Sequence, residues 1–319
     1  MSTLLQTNLS LPLFRRGKVR DVYDLGDKLL IVSTDRISAF DSVLPCGIPG
    51  KGKVLNHLSA FWFEKTAHLI PNHFIRVVDS NVILNEVKNL SGNPEELFDY
   101  LVGRSMLATK AARIPIECIV RGYLSGSAWA EYKETGKVGS IDLPSGMKES
   151  QELPQPIFTP TTKSDTEHDR PLNAQDIKSL EELLATRKRS NLNLIKELEE
   201  KSLLIYKYAR DYANTKGIII ADTKFEFGFI SGELALIDEL LTPDSSRFWD
   251  ARQYKGGCSQ PSFDKQPVRD WLLSQGWDKE PPAPMLPQKV IEATSKRYLE
   301  AYSKLTGNIL EGKQDGDCQ

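Results

Sequence analysis

The 319-residue sequence predicts an α+β protein, with antiparallel strands early and helices plus a further antiparallel hairpin later. Three observations predict it. Residues 14–45 read as a small β-meander, with strand-like runs joined by Leu25-Gly26-Asp27-Lys28. Residues 217–238, GIIIADTKFEFGFISGELALID, read as two strands around Ser231-Gly232. Leu194, Leu198, Leu203, Ile205, Tyr208 and Tyr212 recur at helical spacing, ahead of that hairpin.

In chain order, residues 28–34 (KLLIVST) are apolar enough for a buried strand. Residues 56–69 place Leu58, Phe61, Trp62 and Leu69 on one helical face, and Pro71 follows their end. RSMLATKA and IPIECIVRGYL, beginning at Arg104 and Ile114, are two further strands. SAWAEYKETG is a helix with Ser127 as its N-cap and Gly136 at its end. Residues 137–172, rich in Pro, Gly, Ser and Thr, read as a long loop, dense in polar side chains and therefore functional. Residues 173–215 hold two helices, the second being the periodic one. The tail carries helices over 268–275 and 288–306, and its last eight residues are expected to fray. The pattern suggests three segments: 1–112, 113–255 and a helical 256–319.

Composition narrows the function. Apolar and charged shares of 40% and 26% are those of an ordinary soluble globular protein. A net charge of −2 gives no general attraction to nucleic acid or a membrane surface. The four cysteines lack CxxC spacing, which favours a reducing compartment and argues against a cysteine-built zinc site. With no basic, apolar leader and no run of 18 apolar residues, the expected location is the cytoplasm.

Alternation along residues 222–229 sets Phe225, Phe227 and Phe229 on one face and Asp222, Lys224 and Glu226 on the other. The apolar run before them places this charged face inside the fold, where acids need a counter-charge. The facing strand ends in Asp238. Two carboxylates on neighbouring strands, with a lysine nearby, suit Mg²⁺ and a phosphate. The register is open: a three-residue loop sets Glu226 opposite Asp238, and a two-residue turn pairs Phe227 with Leu236.

Four more groups could meet anions. RRGKVRDVY offers Lys18 and Arg20 around a glycine, without the spacing of a Walker A or GxGxxG motif. STDRISAFD clusters Asp35, Arg36, Ser38 and Asp41 at the end of a buried strand, and GKGK (residues 50–53) precedes a helix. RGYLSGSAW joins Arg121 to a helix start at Ser127. LTPDSSRFWD crowds Asp244 and Arg247 into a turn after the acids. His168 is a candidate base. Together these describe ATP-dependent activation of an acidic substrate.

Taken in order, GKVRDVY, STDRISAFD, GKGKVLN, RGYLSGSAW, PTTKSDTEHD and DTKFEFG…DELLTPDSSRFW closely resemble the SAICAR synthetase family of purine biosynthesis, from about residue 13 to about 255. The resemblance implies a ligase that joins the carboxylate CAIR to L-aspartate with ATP, giving SAICAR, ADP and phosphate through an acyl phosphate. It implies a kinase-small-lobe-like antiparallel N-terminal lobe, an ATP-grasp-like domain over 113–255 and a helical C-terminal extension, with ATP between the first two. By motif, Lys18 and Arg20 correspond to phosphate-contacting residues, with Glu226 and Asp238 as Mg²⁺ ligands. Lys224 corresponds to the residue meeting the CAIR carboxylate, and Arg121, Ser127 and Arg247 to phosphate and carboxylate holders. Asp222 and Asp244 fall in the same motifs. Asp35, Arg36 and residues 161–169 are the candidates for the aspartate side. A simple kinase would need an HRD-type catalytic loop, and the sequence has none.

Overall fold

The computed structural model describes residues 3–40, 42–79, 82, 101–163, 170–173, 175, 176, 178 and 194–310. Asp41, His168, most of the first helix expected after residue 173 and the last eight residues lie outside these.

The N-terminal strands follow the meander. They are β1 (Leu13–Arg16), β2 (Arg20–Asp24) and β3 (Lys28–Ser33), followed by a hairpin of β4 (Arg36–Ala39) and β5 (Ser42–Gly47). With β6 (Phe74–Val77) and β7 (Ser105–Thr109) the first three build a five-stranded antiparallel sheet, ordered β1-β2-β3-β7-β6. The KLLIVS strand lies at its centre, with Leu30 and Val32 fully buried.

Helix α1 (Lys51–Thr66) starts five residues before the apolar periodicity does. Its start is set by Gly50, at a φ of 78°, and by Asp35 Oδ1, which accepts from the Gly52 N–H at 2.9 Å. A Cβ on Gly52 would run into the Ser33 carbonyl, so the helix comes this close to the end of the central strand β3 only because that residue is glycine.

The second sheet is built on two long strands, β8 (Ala112–Tyr123) and β13 (Ile218–Ile230), paired antiparallel with Asp222 opposite Arg121 and Glu226 opposite Glu117. Helix α2 (Gly126–Thr135) follows β8. Its N-cap position is Ser125, not Ser127, which lies exposed in the first turn; Gly136 ends it in the left-handed region as expected.

The described part of 137–172 is not a free loop. It forms the β9 (Lys137–Val138) and β10 (Ile141–Asp142) hairpin, then β11 (Glu152–Phe158) and β12 (Thr161–Thr162), both paired with β8. Pro154 and Pro156 sit in β11, at the edge of the sheet, where a missing N–H is tolerated.

On the other side of β13 lie β14 (Glu233–Ile237) and β15 (Ser246–Asp250). The β13–β14 turn has positive φ at both Ser231 (50°) and Gly232 (86°), the two-residue hairpin geometry. Phe227 therefore faces Leu236 and Glu226 faces Ile237.

Helix α3 (Leu194–Thr215) packs Leu198, Ile205, Tyr206 and Ala209 onto β8 and β13. Helices α4 (Gln266–Ser274) and α5 (Gln288–Thr306) match the tail periodicities. One core joins Ile31 and Met106 of the first sheet, Val120 and Phe225 of the second, and Tyr298 of α5.

Candidate active site

The alternation of β13 carries its charged face inward: Asp222 and Glu226 are 5% and 6% exposed. Asp238 stands just after β14, one position beyond the partner of Glu226. It adopts a φ of 69°, and Leu241 follows at 51°, two non-glycine residues in the left-handed region. Such strain persists only where surrounding contacts impose it. Here His73 supplies one: its ring donates to the Asp238 carbonyl, and burial pushes the imidazole down to about 4, so it is neutral at pH 7. The residues before β6 bind the same hairpin through His73 N to Leu236 O (3.0 Å) and Leu236 N to Pro71 O (3.0 Å).

Arg20 crosses from the first sheet to these acids. Its Nη2 lies 2.5 Å from Asp238 Oδ2 and 3.5 Å from Glu239 Oε1. Burial works against the Asp238 charge, yet Arg20, helped by Lys163 and Lys224, holds that carboxyl well below the usual range. Glu226 moves the other way. Burial and then the charge of Asp238 raise it, with Lys163 and Lys224 opposing. Burial and mutual repulsion make ionising both of these neighbouring acids costly, and a cation between them would relieve both effects.

Lys224 does not pair with Asp222. Its Nζ lies 2.7 Å from Glu117 Oε1 on the adjacent β8. Lys163, just after β12, bridges Glu117 Oε1 at 2.5 Å and Glu226 Oε1 at 3.0 Å. The two lysines hold Glu117 below its usual range against the effect of burial. Sequence reasoning missed Glu117, although a lone acid inside the apolar run IPIECIV was a signal.

Asp222 instead takes Arg247 Nη1 in a short ion pair and Arg121 Nη1 at 3.5 Å. Arg121 Nε also donates to Thr159 Oγ1 at 3.0 Å. Arg247 lies against Gly126 so closely that a Cβ there would collide with the guanidinium. Around it is a pocket lined by Ser125, Gly126, Ser150, Arg247, Ser262 and Asp264. Ser125 Oγ and Asp264 Oδ2 are buried in it and make no hydrogen bond to a described residue. The unpartnered Ser125 hydroxyl, beside the α2 N-terminus and the Arg247 guanidinium, suits an anion, whereas the Asp264 carboxyl suits a hydroxyl or N–H of the same ligand. Ser127 lies on the exposed first turn above it.

Asp244 is held from three sides. Lys51 Nζ and the Tyr298 hydroxyl each reach it at 2.7 Å, and Lys265 Nζ is at 3.5 Å. These partners keep the carboxyl well below its usual range although burial opposes the charge. Lys51 comes from the GKGK motif and is fully buried within α1.

Asp35 and Arg36 are engaged elsewhere. Asp35 accepts from Leu4 N (2.8 Å), Gly52 N (2.9 Å) and Arg104 Nη1 (3.0 Å). Arg36 donates to the carbonyls of Leu5, Gly17 and Lys18 and to Asp21, pinning the β1–β2 loop. Lys18 is exposed on that loop. Of residues 161–169 only 161–163 are described, and Lys163 is the one at the acids.

Among the described residues no three His, Cys, Asp or Glu side chains are gathered closely enough to hold a metal alone. Glu226 and Asp238 nevertheless fit a cation whose remaining ligands are phosphate oxygens and water. No helix among the described residues is long and apolar enough to cross a membrane.

The model of the SAICAR synthetase family matches residues 13–284. The phosphoribosylaminoimidazole-succinocarboxamide synthase of Thermodesulfovibrio yellowstonii is 51% identical over 309 residues, covering 96% of this chain and 99% of its own. That of Geotalea uraniireducens is 50% identical over 298 residues, 93% and 95% of the two chains. Among solved structures, the Saccharomyces cerevisiae SAICAR synthase in complex with SAICAR aligns at a TM-score of 0.81 with 42% identity, over 98% of this chain and 99% of that one. The Pyrococcus horikoshii SAICAR synthetase aligns at 0.64 with 27% identity, over 92% and 100%. The mixed α+β fold, the charged strand face and these similarities agree: the chain belongs to the SAICAR synthetase family.

Proposed function

We propose that this chain ligates CAIR to L-aspartate at the expense of ATP, producing SAICAR, ADP and phosphate, and that it does so through an acyl phosphate. The observation that carries the reading is β13 itself. It presents Glu226 to a second acid and two lysines, and four residues earlier it presents Asp222 to two arginines. A phosphoryl donor and an anionic acceptor thus have adjacent places on one strand.

A carboxylate resists amines because its charge repels them and oxide leaves poorly. In our reading a CAIR carboxylate oxygen attacks the γ-phosphorus and the β–γ bridging oxygen leaves with ADP. The aspartate amine then adds to the activated carbonyl, and phosphate departs with one carboxylate oxygen as the amine loses a proton. Lys224 holds the CAIR carboxylate and reduces repulsion as two anions approach. Arg20 and Lys18 face the ATP phosphates from the first sheet. Arg121, Arg247, Ser127 and the α2 N-terminus hold the anionic end of CAIR, with Asp222 fixing both arginines. Asp244 orients the turn that carries Arg247. Glu226 and Asp238 would hold Mg²⁺, which would neutralise charge developing on the transferred phosphoryl group.

The kinase-small-lobe-like and ATP-grasp-like description fits this division of labour, with ATP between the sheets and the helices α4 and α5 packed on α1 and the β4–β5 hairpin. Aspartate would approach from the side of residues 161–163. Asp35 and Arg36 are internal to the first lobe, and we assign them to its shape.

Positional isotope exchange tests the chemistry. With ATP labelled at the β–γ bridge and CAIR but no aspartate, reversible acyl phosphate formation moves the label to non-bridging positions. No exchange, with normal turnover once aspartate is added, would replace the stepwise route by a concerted one.

A further inference from the structure

Lys163 is the cation nearest Glu226, the acid read above as a metal ligand. Its Nζ is 3.0 Å from Glu226 Oε1 and 2.5 Å from Glu117 Oε1, and the side chain is 15% exposed. Among the described residues Glu226 has no other ion-pair partner, whereas Glu117 also has Lys224 at 2.7 Å. The removal of Lys163 therefore leaves Glu117 paired and Glu226 without its salt bridge.

Four acids meet three cations around this point: Glu117, Glu226, Asp238 and Glu239 against Lys163, Lys224 and Arg20. A divalent cation entering alone would bring two further positive charges next to Lys163, into a partly dry cluster that is short of only one. One entering with nucleotide phosphates would bring its own compensation. Like charges at short range in such a medium repel strongly.

Resting on the ligase reading above, we propose that Lys163 is a resident counter-cation of the acid pair. It neutralises Glu226 while no metal is bound and yields that carboxylate when the metal arrives with its phosphates. The acid pair then selects the metal–nucleotide complex over the free ion. The position of the residue supports this: Lys163 directly follows β12, and its backbone is anchored by a hydrogen bond to the Pro115 carbonyl at 3.1 Å. Only the flexible four-carbon stem has to move for the ammonium to leave Glu226, and it can keep Glu117 as it does so.

Mn²⁺, followed by the loss of its free-ion paramagnetic signal, reports binding without turnover. The full-length protein is titrated with Mn²⁺ alone and with Mn²⁺ plus a non-hydrolysable ATP analogue. Lys163→Met is expected to bind Mn²⁺ alone about ten-fold or more tighter than wild type, the order of a lost charged interaction. The gain should shrink when the analogue is present. Lys163→Arg keeps a cation and should restore the weak wild-type binding, which separates a charge effect from local loosening. Thermal melting of each variant shows that it is folded. Equal or weaker Mn²⁺ binding by folded Lys163→Met, without nucleotide, overturns the proposal. Glu226→Gln distinguishes the two levels. If it leaves Mn²⁺ binding with the analogue unchanged, the acid pair is not the metal site, and the metal assignment and the counter-cation role fall together while the ligase reading stands. If it weakens that binding while Lys163→Met gains nothing, only the counter-cation role falls.

Discussion

Asp35, between β3 and β4, and Glu226, within β13, are both buried acids, and their surroundings differ in kind. Asp35 is fully buried and has two backbone N–H groups and Arg104 within 3.0 Å. Every donor is fixed by the fold, and the carboxylate in turn fixes the start of α1. Glu226 has one lysine, at 3.0 Å, and its ionised form is disfavoured by burial and by Asp238. A buried acid with all its bonds made locally is scaffold. A buried acid left short of cations is suited to a ligand that brings one.

The largest effect that could break this contrast is on stability. Asp35→Ala leaves Arg104 and two N–H groups unpaired in the interior. Loss of one partner of a buried pair costs about 3–5 kcal/mol. Urea unfolding should show that loss, with turnover per folded molecule kept at saturating substrates. Normal stability with collapsed turnover would move Asp35 into the site.

Glu226→Gln should do the opposite. Turnover should fall by about 10²–10³, the usual cost of removing a preorganised charge-stabilising group. Stability at neutral pH should stay level or rise. The sign follows from the raised carboxyl: its folded form favours the proton, so ionisation costs stability as pH climbs above the ordinary value of 4.5. The melting temperature of the variant relative to wild type should therefore improve from about pH 4.5 upward. A variant that melts lower across that range would make Glu226 a structural acid like Asp35.

Two cations sharpen the same line. Lys224→Met should lower turnover about ten-fold to a hundred-fold while ATP binding, measured calorimetrically, stays the same. Arg121→Ala should raise KM for CAIR by a similar factor and leave KM for ATP alone. Equal changes for both substrates would remove the proposed separation between the two ends of β13.

Much of this was legible in the sequence because it is local. The 222–238 hairpin, the meander and the two tail helices depend on periodicity and turn residues within a few positions. The inward charge of β13 followed from the apolar run before it. What could not be read depends on partners far along the chain. Glu117 and Lys163 become site residues only through the pairing of β8 with β13 and β12. The 137–172 segment looked like a loop because its prolines suit an edge strand as well as a turn, and only the neighbour β8 decides between them. Ser127 looked like a cap because Ser125, the observed N-cap position, makes no side-chain capping bond. Asp35 looked like a site residue because its saturating donors, at positions 4, 52 and 104, are invisible locally.

The smallest effect tests how separable scaffold and site are within one hairpin. Ser231 adopts a φ of 50° in the turn that sets the register of β13 against β14. The turn's shape requires positive φ at both central residues, which asparagine tolerates better than serine. Ser231→Asn should therefore stabilise the protein by about 0.5 kcal/mol, through a turn better matched to its residues. The turn lies four residues beyond Phe227 and is exposed, so no contact carries the change to Glu226. Urea unfolding should register the gain while turnover and Mn²⁺ binding stay as they were. A change in turnover would mean that the strand register reaching Asp238 is not pinned by the buried Phe227–Leu236 pair. The strain at Asp238 would then be shared along the whole hairpin rather than held by His73 and Arg20 at its end.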